Sequence, residues 1–406
     1  MRCVPCASDT NACGICRTKG TTALKKDKNK SKSGECCADL AARRGRVGGS
    51  AVLEGVMMKA GDRLALACRT PKGEIALTER PVRSVREKYK ILNLPIIRGA
   101  VNFVEMMILS LSTMNLSAEV ALSEDENGEP YEEGRFTRWA REKLHVNIND
   151  IITVIAGILG VALAVLLFIW LPAAVSGLIE RFFELPPIVF AVIEGGIKIA
   201  IFIVYLALVS LMPDIRRTFQ YHGAEHKSIA CYEAGGPLTP EEARKHTRFH
   251  PRCGTSFMFV MILLGVIVGF FIPFRGWIRT VVKLLILPIV CGVGYEFIRF
   301  AGKHDGWIVR ALSAPGLWMQ RITTKEPTDD QLEIAITSLK YALRDEFPEL
   351  DPADYVRFES DLTEEERAAR KGSAKEGDPA EATEATEAAE ATEPAPTDEP
   401  SEEAEA

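Results

Sequence analysis

Four of the six histidines in this chain of 406 residues lie within a stretch of 29 residues, from His222 to His250. The first pair, His222 and His226, frames the sequence H-x-x-E-H, whose glutamate is Glu225. Residues four positions apart share one face of a helix, so the two imidazoles could bind the same metal ion. Because this spacing is known from zinc hydrolases, we predict a zinc site in which Glu225 acts as general base toward water.

A second group of candidate zinc ligands follows in the sequence H-P-R-C-G-T-S, which contains His250 and Cys253. Cys253 is expected just before a helix N-terminus, where the helix dipole lowers the pKa of a thiol, and a thiolate is a good zinc ligand. We therefore expect His250 and Cys253 to complete the site, with His246 as a weaker candidate. Four protein ligands would make a closed, structural site, whereas three would leave a position for water.

A separate zinc site is predicted near the N-terminus, where the spacing C-x-x-C occurs twice and could supply four thiolates. The six residues between the two pairs are fewer than a zinc ribbon usually has. An unstructured tail, or a redox-active patch that includes Cys36 and Cys37, therefore stays open as an alternative. The candidate ligands are Cys3, Cys6, Cys13 and Cys16.

Four apolar segments place these ligands in a membrane protein. Residues 151–179 and 253–274 contain no charged side chain, and residues 188–212 and 281–300 contain two and three. A transmembrane helix needs about 20 predominantly apolar residues. We therefore predict a mostly α-helical, polytopic membrane protein with about four transmembrane helices, whose principal partner is the lipid bilayer.

The distribution of basic residues predicts the orientation of these helices. Residues 213–255, between the second and third segments, carry seven lysines and arginines, and further basic residues precede the first segment and follow the fourth. Because basic loops stay on the cytoplasmic side, we predict a multi-pass protein of the cell membrane with both termini and this loop in the cytoplasm. Cysteines stay reduced in that compartment. The first 45 residues are polar, basic and Cys-rich, unlike a signal peptide.

The net charge of −6 conceals a strongly acidic C-terminus. Residues 376–406 hold twelve acidic residues and no basic ones. This composition, rich in Glu, Ala, Thr and Pro, cannot bury a core, so we predict a disordered tail. The rest of the chain is only mildly basic, which argues against a nucleic-acid partner.

The predicted domain organisation puts the metal loop between membrane helices, after a small αβ unit. In that unit, residues 64–68 and 74–78 flank a Pro-Lys-Gly turn and should form a β-hairpin. The predicted segments are a Cys-rich extension (1–45), the αβ unit with apolar helices (46–122), a polar linker (123–150), the transmembrane bundle (151–300) with its cytoplasmic helical loop (213–255), a helical segment (301–350) and the acidic tail (351–406).

Capping residues predict the short helices around the site. Thr239 should begin a helix that runs to about Phe249, because Pro251 disfavours helix at the residue before it. Thr255 or Ser256 should then cap the third apolar segment. A capping box at 328–331 predicts a helix over about 331–345.

Polar residues inside the apolar segments have a less specific interpretation. Glu194 and Lys198 are four residues apart in the second segment, so they can neutralise one another as a structural ion pair. Arg98, Asn102 and Glu105 should lie near one face of the apolar helices at 93–122, which is typical of a helix at the membrane interface.

Four motifs occur in the order G-G-S-A-V-L-E-G-V-M-M, L-P-I-I-R-G, H-G-A-E-H-K and H-P-R-C-G-T-S-F. Together they resemble the YqhQ-type family, domain-of-unknown-function family 1385, over about residues 46–345. The resemblance implies a metal-dependent membrane enzyme of unknown substrate, and His246 lies outside its motifs. The site residues that it implies are His222, Glu225, His226, His250 and Cys253.

The function predicted from the sequence is that of an integral membrane zinc enzyme that performs metal-assisted hydrolysis at the cytoplasmic membrane face. Its substrate is unknown, and location alone suggests a membrane-associated one. A membrane scaffold or metal sensor with a structural zinc ion is the competing hypothesis. A transporter that uses Glu194 and Lys198 is a third.

Overall fold

The computed structural model describes residues 42–121, 148–183, 186–272, 274, 276–301, 307–358 and 361. The four candidate ligands of the N-terminal cysteine site, most of the predicted linker and the acidic tail beyond residue 361 lie outside the described residues. The chain divides into two compact units, 1–356 and 357–406. Only three residues of the second unit are described, and the architecture below is that of the first.

Four antiparallel strands form the N-terminal part of the fold, in the sheet order β1-β2-β3-β4. The predicted hairpin is confirmed, because Arg69 at the end of β3 pairs with Ile75 at the start of β4. Gly73 makes the turn between them with a φ of +88°, which a residue without a Cβ adopts at little cost. The strands are β1 (Val47–Val52), β2 (Gly55–Ala60), β3 (Arg63–Arg69) and β4 (Ile75–Pro81), and a two-residue strand is found at Val356–Arg357.

Helices make up most of the remaining described chain. They are α1 (Val85–Lys88), α2 (Ile97–Ala121), α3 (Ile148–Val165), α4 (Leu171–Phe182), α5 (Pro187–Val209), α6 (Pro213–Ala234), α7 (Pro240–Arg244), α8 (Gly254–Phe270), α9 (Gly276–Ala301), α10 (Trp307–Thr323) and α11 (Asp329–Ala342). A π-helical turn, Leu166–Trp170, joins α3 to α4, and short 3₁₀ turns lie at Lys90–Asn93 and Pro352–Asp354.

Three described helical stretches are long and apolar enough to cross a membrane, namely Ile155–Phe182, Ile188–Val209 and Ile278–Ala301. The predicted third span corresponds to α8, an apolar helix of 17 residues. At 1.5 Å per residue its length is about 25 Å, slightly less than the hydrocarbon core of a bilayer. Large apolar side chains on these helices are exposed, as expected of helices that face lipid.

The sheet buries its apolar side chains against α6 and α11. Val56 and Met58 from β2 share a continuous core with Tyr221 from α6 and with Leu332 from α11, and each of these side chains is buried. The predicted capping box begins α11, since the Thr328 hydroxyl accepts a hydrogen bond from the amide of residue 331. This packing holds α6, which carries H-x-x-E-H, between the sheet and α11.

The polar side chains of α2 attach it to its neighbours. The Arg98 guanidinium donates two hydrogen bonds to Glu296 of α9, and Arg86 donates one to Asn102. Ser84 donates to Glu105 at 2.9 Å. The apolar helices predicted at 93–122 thus form one helix, Ile97–Ala121, which begins two residues after Pro95.

Candidate metal centre

Three side chains that can bind a metal ion converge at the junction of α6 and α8. His222 and His226 come from α6, and Cys253 precedes α8. One ligand atom from each lies within 4.8 Å of the other two. His222 Nε2 is 3.2 Å from Cys253 Sγ, and the two imidazole centroids are 4.4 Å apart. The sequence prediction that one helix face brings the two histidines together is consistent with this arrangement.

Backbone carbonyls fix the orientation of both imidazoles. His222 Nδ1 lies 2.9 Å from the carbonyl oxygen of Thr323, and His226 Nδ1 lies 2.5 Å from that of Arg248. A carbonyl only accepts hydrogen bonds, so each Nδ1 must be the protonated donor. In a neutral imidazole held this way, Nε2 carries the lone pair, which is the form of histidine that binds metal ions.

The contact with the Thr323 carbonyl depends on a glycine in α6. A Cβ added at Gly223 would lie 2.0 Å from the carbonyl oxygen of Lys325, a distance that no side chain tolerates. The same segment is fixed by a backbone hydrogen bond from Lys325 to Phe219 at 2.8 Å. Gly223 thus lets the chain after α10 lie directly on α6, beside His222.

The loop before Cys253 contains less helix than predicted. α7 ends at Arg244, and the prediction that it runs to about Phe249 was wrong. The Arg244 carbonyl accepts a hydrogen bond from Lys227 Nζ at 2.9 Å, and the Arg248 carbonyl accepts one from His226. These carbonyls point toward α6 instead of along a helix axis, so the helix cannot continue through them.

Cys253 is itself the N-cap of α8. Its Sγ accepts a hydrogen bond from the backbone amide of Thr255 at 3.4 Å, so the prediction that Thr255 or Ser256 caps this helix was wrong by two or three residues. Although burial raises the pKa of this thiol, His222 and His226 hold it well below its usual value. The two histidines therefore favour the thiolate form of Cys253.

The negative charge of this thiolate in turn affects the pKa of His222. Burial alone lowers the pKa of His222, but the neighbouring Cys253 thiolate raises it to about 9. Without a cation, the thiolate is therefore balanced by a protonated imidazole. A bound metal ion would take the place of that proton, because metal binding to histidine and cysteine releases protons.

The other two candidate histidines point elsewhere. His250 is buried beside His226, with ring centroids 5.6 Å apart, but its Nε2 lies 3.8 Å from a Glu233 carboxylate oxygen and 3.3 Å from an Arg252 nitrogen. Its backbone is held by hydrogen bonds to and from the Gln320 amide. His246 faces Glu242 at 4.0 Å.

Glu225 is buried between α6 and the sheet. Its Oε1 lies close to Gly49 in β1, where an added Cβ would approach it to 2.9 Å. Its Oε2 has no hydrogen-bond partner among the described residues. Burial raises the pKa of Glu225, whereas His222 and His226 act to lower it. Glu225 is not one of the three converging side chains, so it is left free to accept a proton.

These side chains fit a zinc ion by their chemistry. Two imidazoles and one thiolate are ligands that zinc accepts in tetrahedral sites, and three protein ligands are the pattern of sites that keep a position for water. Hydrogen bonds from the second ring nitrogen to backbone carbonyls are the usual support for such histidines. His222 is partly exposed, whereas His226 and Cys253 are buried.

Several residues that shape the site were not predicted from the sequence. Thr323 and Arg248 contribute only carbonyl oxygens, and every residue type has one, so their side chains give no signal. Gly49 and Gly223 act through the absence of a side chain. Gly49 belongs to a G-G-S motif that could have drawn attention to close backbone contact.

Comparisons with known proteins identify the family. A family model described as "Protein of unknown function (DUF1385)" matches residues 94–345. The chain is similar to "Uncharacterized protein YqhQ" of Bacillus subtilis (strain 168), with 32% identity over 303 residues, which are 73% of this chain and 92% of that protein. No solved structure matches the chain. The chain therefore belongs to the DUF1385 family of proteins of unknown function.

Proposed function

We propose that this protein is an integral membrane, zinc-dependent enzyme that catalyses a hydrolytic reaction at the cytoplasmic membrane face. His222, His226 and Cys253 would hold the zinc ion, and Glu225 would be the general base. The observation that carries the proposal is the combination of three converging ligand atoms with a buried carboxylate that is not a ligand.

The position of His250 favours an enzyme over a scaffold. A structural zinc site has four protein ligands, and His250 was the expected fourth. Its Nε2 instead faces Glu233 and Arg252, and the Gln320 amide holds its backbone from both sides. With three ligands, one coordination position stays open for water or substrate.

In the proposed reaction, zinc supplies Lewis-acid chemistry and makes water more acidic. Glu225 accepts the proton that water loses on attacking the substrate and then returns it to the leaving group. Its raised pKa makes Glu225 a stronger base toward that water, and burial keeps the carboxylate away from competing solvent. The Thr323 and Arg248 carbonyls hold the imidazoles in place throughout.

The substrate is proposed to be membrane-associated because of where the site lies. Cys253 caps the apolar helix α8, and α6 follows the candidate span Ile188–Val209 after three residues. The partly exposed edge of His222 is the side from which a substrate could reach the three ligands.

Zinc content tests this proposal directly. The purified full chain should contain one zinc ion at the α6–α8 site, and a second if the N-terminal cysteines bind one. Replacing Cys3, Cys6, Cys13 and Cys16 by serine should remove only that second ion. Elemental analysis after removal of loosely bound metal provides the count. A serine variant without zinc would contradict the proposed function.

Topology provides an independent test of the proposed location. A reporter inserted near residue 235, after α6, and another near residue 350 should both be found on the cytoplasmic side, because basic residues concentrate on the same side as these positions. Accessibility of substituted cysteines to a membrane-impermeant reagent would measure the same property. If the reporter at residue 235 were found on the external side, the metal centre would lie at the external face, and the proposed cytoplasmic location would be wrong.

A further inference from the structure

A second cluster of charged side chains lies at the other end of α5 from the metal centre. Glu194 of α5 forms an ion pair with Lys198 at 3.0 Å, as the sequence predicted. It also accepts a hydrogen bond from Lys283 of α9, and its second oxygen lies 3.5 Å from Arg279 Nε. Glu194 is about 22 Å along α5 from Val209, the end that leads into α6.

The charges of this cluster do not cancel. Three cations surround one carboxylate, which leaves a net charge of +2. Glu194 is the carboxylate that these cations contact among the described residues. The helices around them are apolar and are candidate membrane spans, where an unbalanced charge is costly. An anion bound at the cluster would remove much of that cost.

The lysines also have hydrogen-bond donors to spare. Each ammonium group carries three N–H bonds, and Lys198 and Lys283 each use one of them for Glu194. Arg279 is occupied differently, because its two terminal nitrogens donate to the carbonyls of Gly269 and Ile272. The unused donors of the two lysines suit the two free oxygens of a phosphate group.

The volume of the cavity at the cluster limits how an anion can approach the lysines. The cavity at the cluster has a volume of about 10 Å³, which is room for roughly one water molecule. The side chains of Lys198 and Lys283 are 23% and 22% exposed, whereas that of Glu194 is 7% exposed. An anion cannot be enclosed, but it can reach the exposed sides of the two lysines from the surface of the helix bundle.

We infer that Lys198 and Lys283 bind a phosphate group, supplied by an anionic lipid in the leaflet next to the N-terminal ends of α5 and α9. Glu194 holds the two ammonium groups side by side, and Arg279 fixes Glu194 against α8. Inorganic phosphate has the same chemistry and is the other possible source. The site is separate from the metal centre and does not depend on the proposed function.

Lipid retention by the purified full chain tests this inference. Protein extracted into neutral detergent from vesicles of phosphatidylcholine with a minor fraction of phosphatidylglycerol should carry phosphatidylglycerol in excess over its share of the vesicle. Each basic residue near a membrane surface strengthens binding of anionic lipid by about fivefold, so replacing both lysines by glutamine should reduce retention by about 30-fold. Mass spectrometry of the bound lipid measures the ratio.

Two variants separate binding from folding and from general charge. Arg181→Gln, at the end of α4, removes one positive charge outside the cluster and should reduce retention by no more than the roughly fivefold effect of a single surface charge. Glu194→Gln raises the net charge of the cluster and should retain at least as much phosphatidylglycerol as wild type, a result that general damage would not give. Lys283→Arg keeps the charge and should also retain the lipid.

A second arm identifies the source of the phosphate. In vesicles of phosphatidylcholine alone, added inorganic phosphate should leave the unfolding temperature of wild type unchanged if lipid is the ligand. An increase that is absent in the double lysine variant would assign the site to free phosphate. The inference is overturned if the double lysine variant behaves like Arg181→Gln in both arms.

Discussion

Glu225→Gln should abolish function while the protein keeps its zinc ion. Glutamine has nearly the same shape as glutamate and can stay in the space beside Gly49, but it cannot accept a proton. Loss of a general base lowers the rate by about 10²–10⁴-fold. Complementation of a strain that lacks the protein measures function, and elemental analysis of the purified variant measures zinc.

The outcome of that substitution separates the enzyme from the scaffold. A scaffold with a structural zinc ion needs no base, so Glu225→Gln would complement as well as wild type. Glu225 is buried, and its Oε2 has no partner among the described residues. Glutamine keeps an oxygen and the side-chain volume at this buried position, so the variant is expected to fold. A stable, zinc-loaded variant that restores full function would disprove the catalytic role.

His226→Ala should remove the zinc ion from the α6–α8 site. Loss of a residue that only supports a ligand costs about 10–100-fold in metal affinity, and loss of a ligand should cost more. The substitution also leaves the Arg248 carbonyl without the imidazole that hydrogen-bonds to it. The experiment is done in the variant with serine at the four N-terminal cysteines. The expected result is that His226→Ala retains less zinc than this parent in the presence of a competing chelator.

His246→Ala is the matched control for this experiment. It makes the same substitution in the same loop, but His246 faces Glu242 and is not among the three converging ligands. It should keep its zinc ion and its function. If His246→Ala lost zinc as readily as His226→Ala, the choice of ligands made from the geometry would be wrong.

Local sequence signals were sufficient for several parts of the fold. The hairpin turn at Gly73 and the capping box at Thr328 depend on residues close together in the chain, and both occur where predicted. The pairing of Glu194 with Lys198 follows from helical spacing in the same way. Such features need no knowledge of how distant segments pack.

Features that depend on distant segments could not be predicted. The end of α7 at Arg244 is set by carbonyls that turn toward α6, and this preference is invisible in the sequence of α7. Cys253 caps α8 although serine and threonine follow it, because its sulfur is held beside the histidines of α6. The partners that Glu194 gains from α9 are 85 and 89 residues away.

The carbonyl that orients His222 has a consequence for how the protein is made. Thr323 follows His222 by 101 residues, and α8, α9 and α10 all lie between them in the chain. A ribosome that adds about 5–20 residues per second needs roughly 5–20 s to synthesise that interval. During this time the histidines of α6 have left the ribosome without the backbone that orients one of them. The orientation of His222 can therefore be completed only after α8, α9 and α10 have been synthesised, so a chain that ends before Thr323 has the three ligands without this contact.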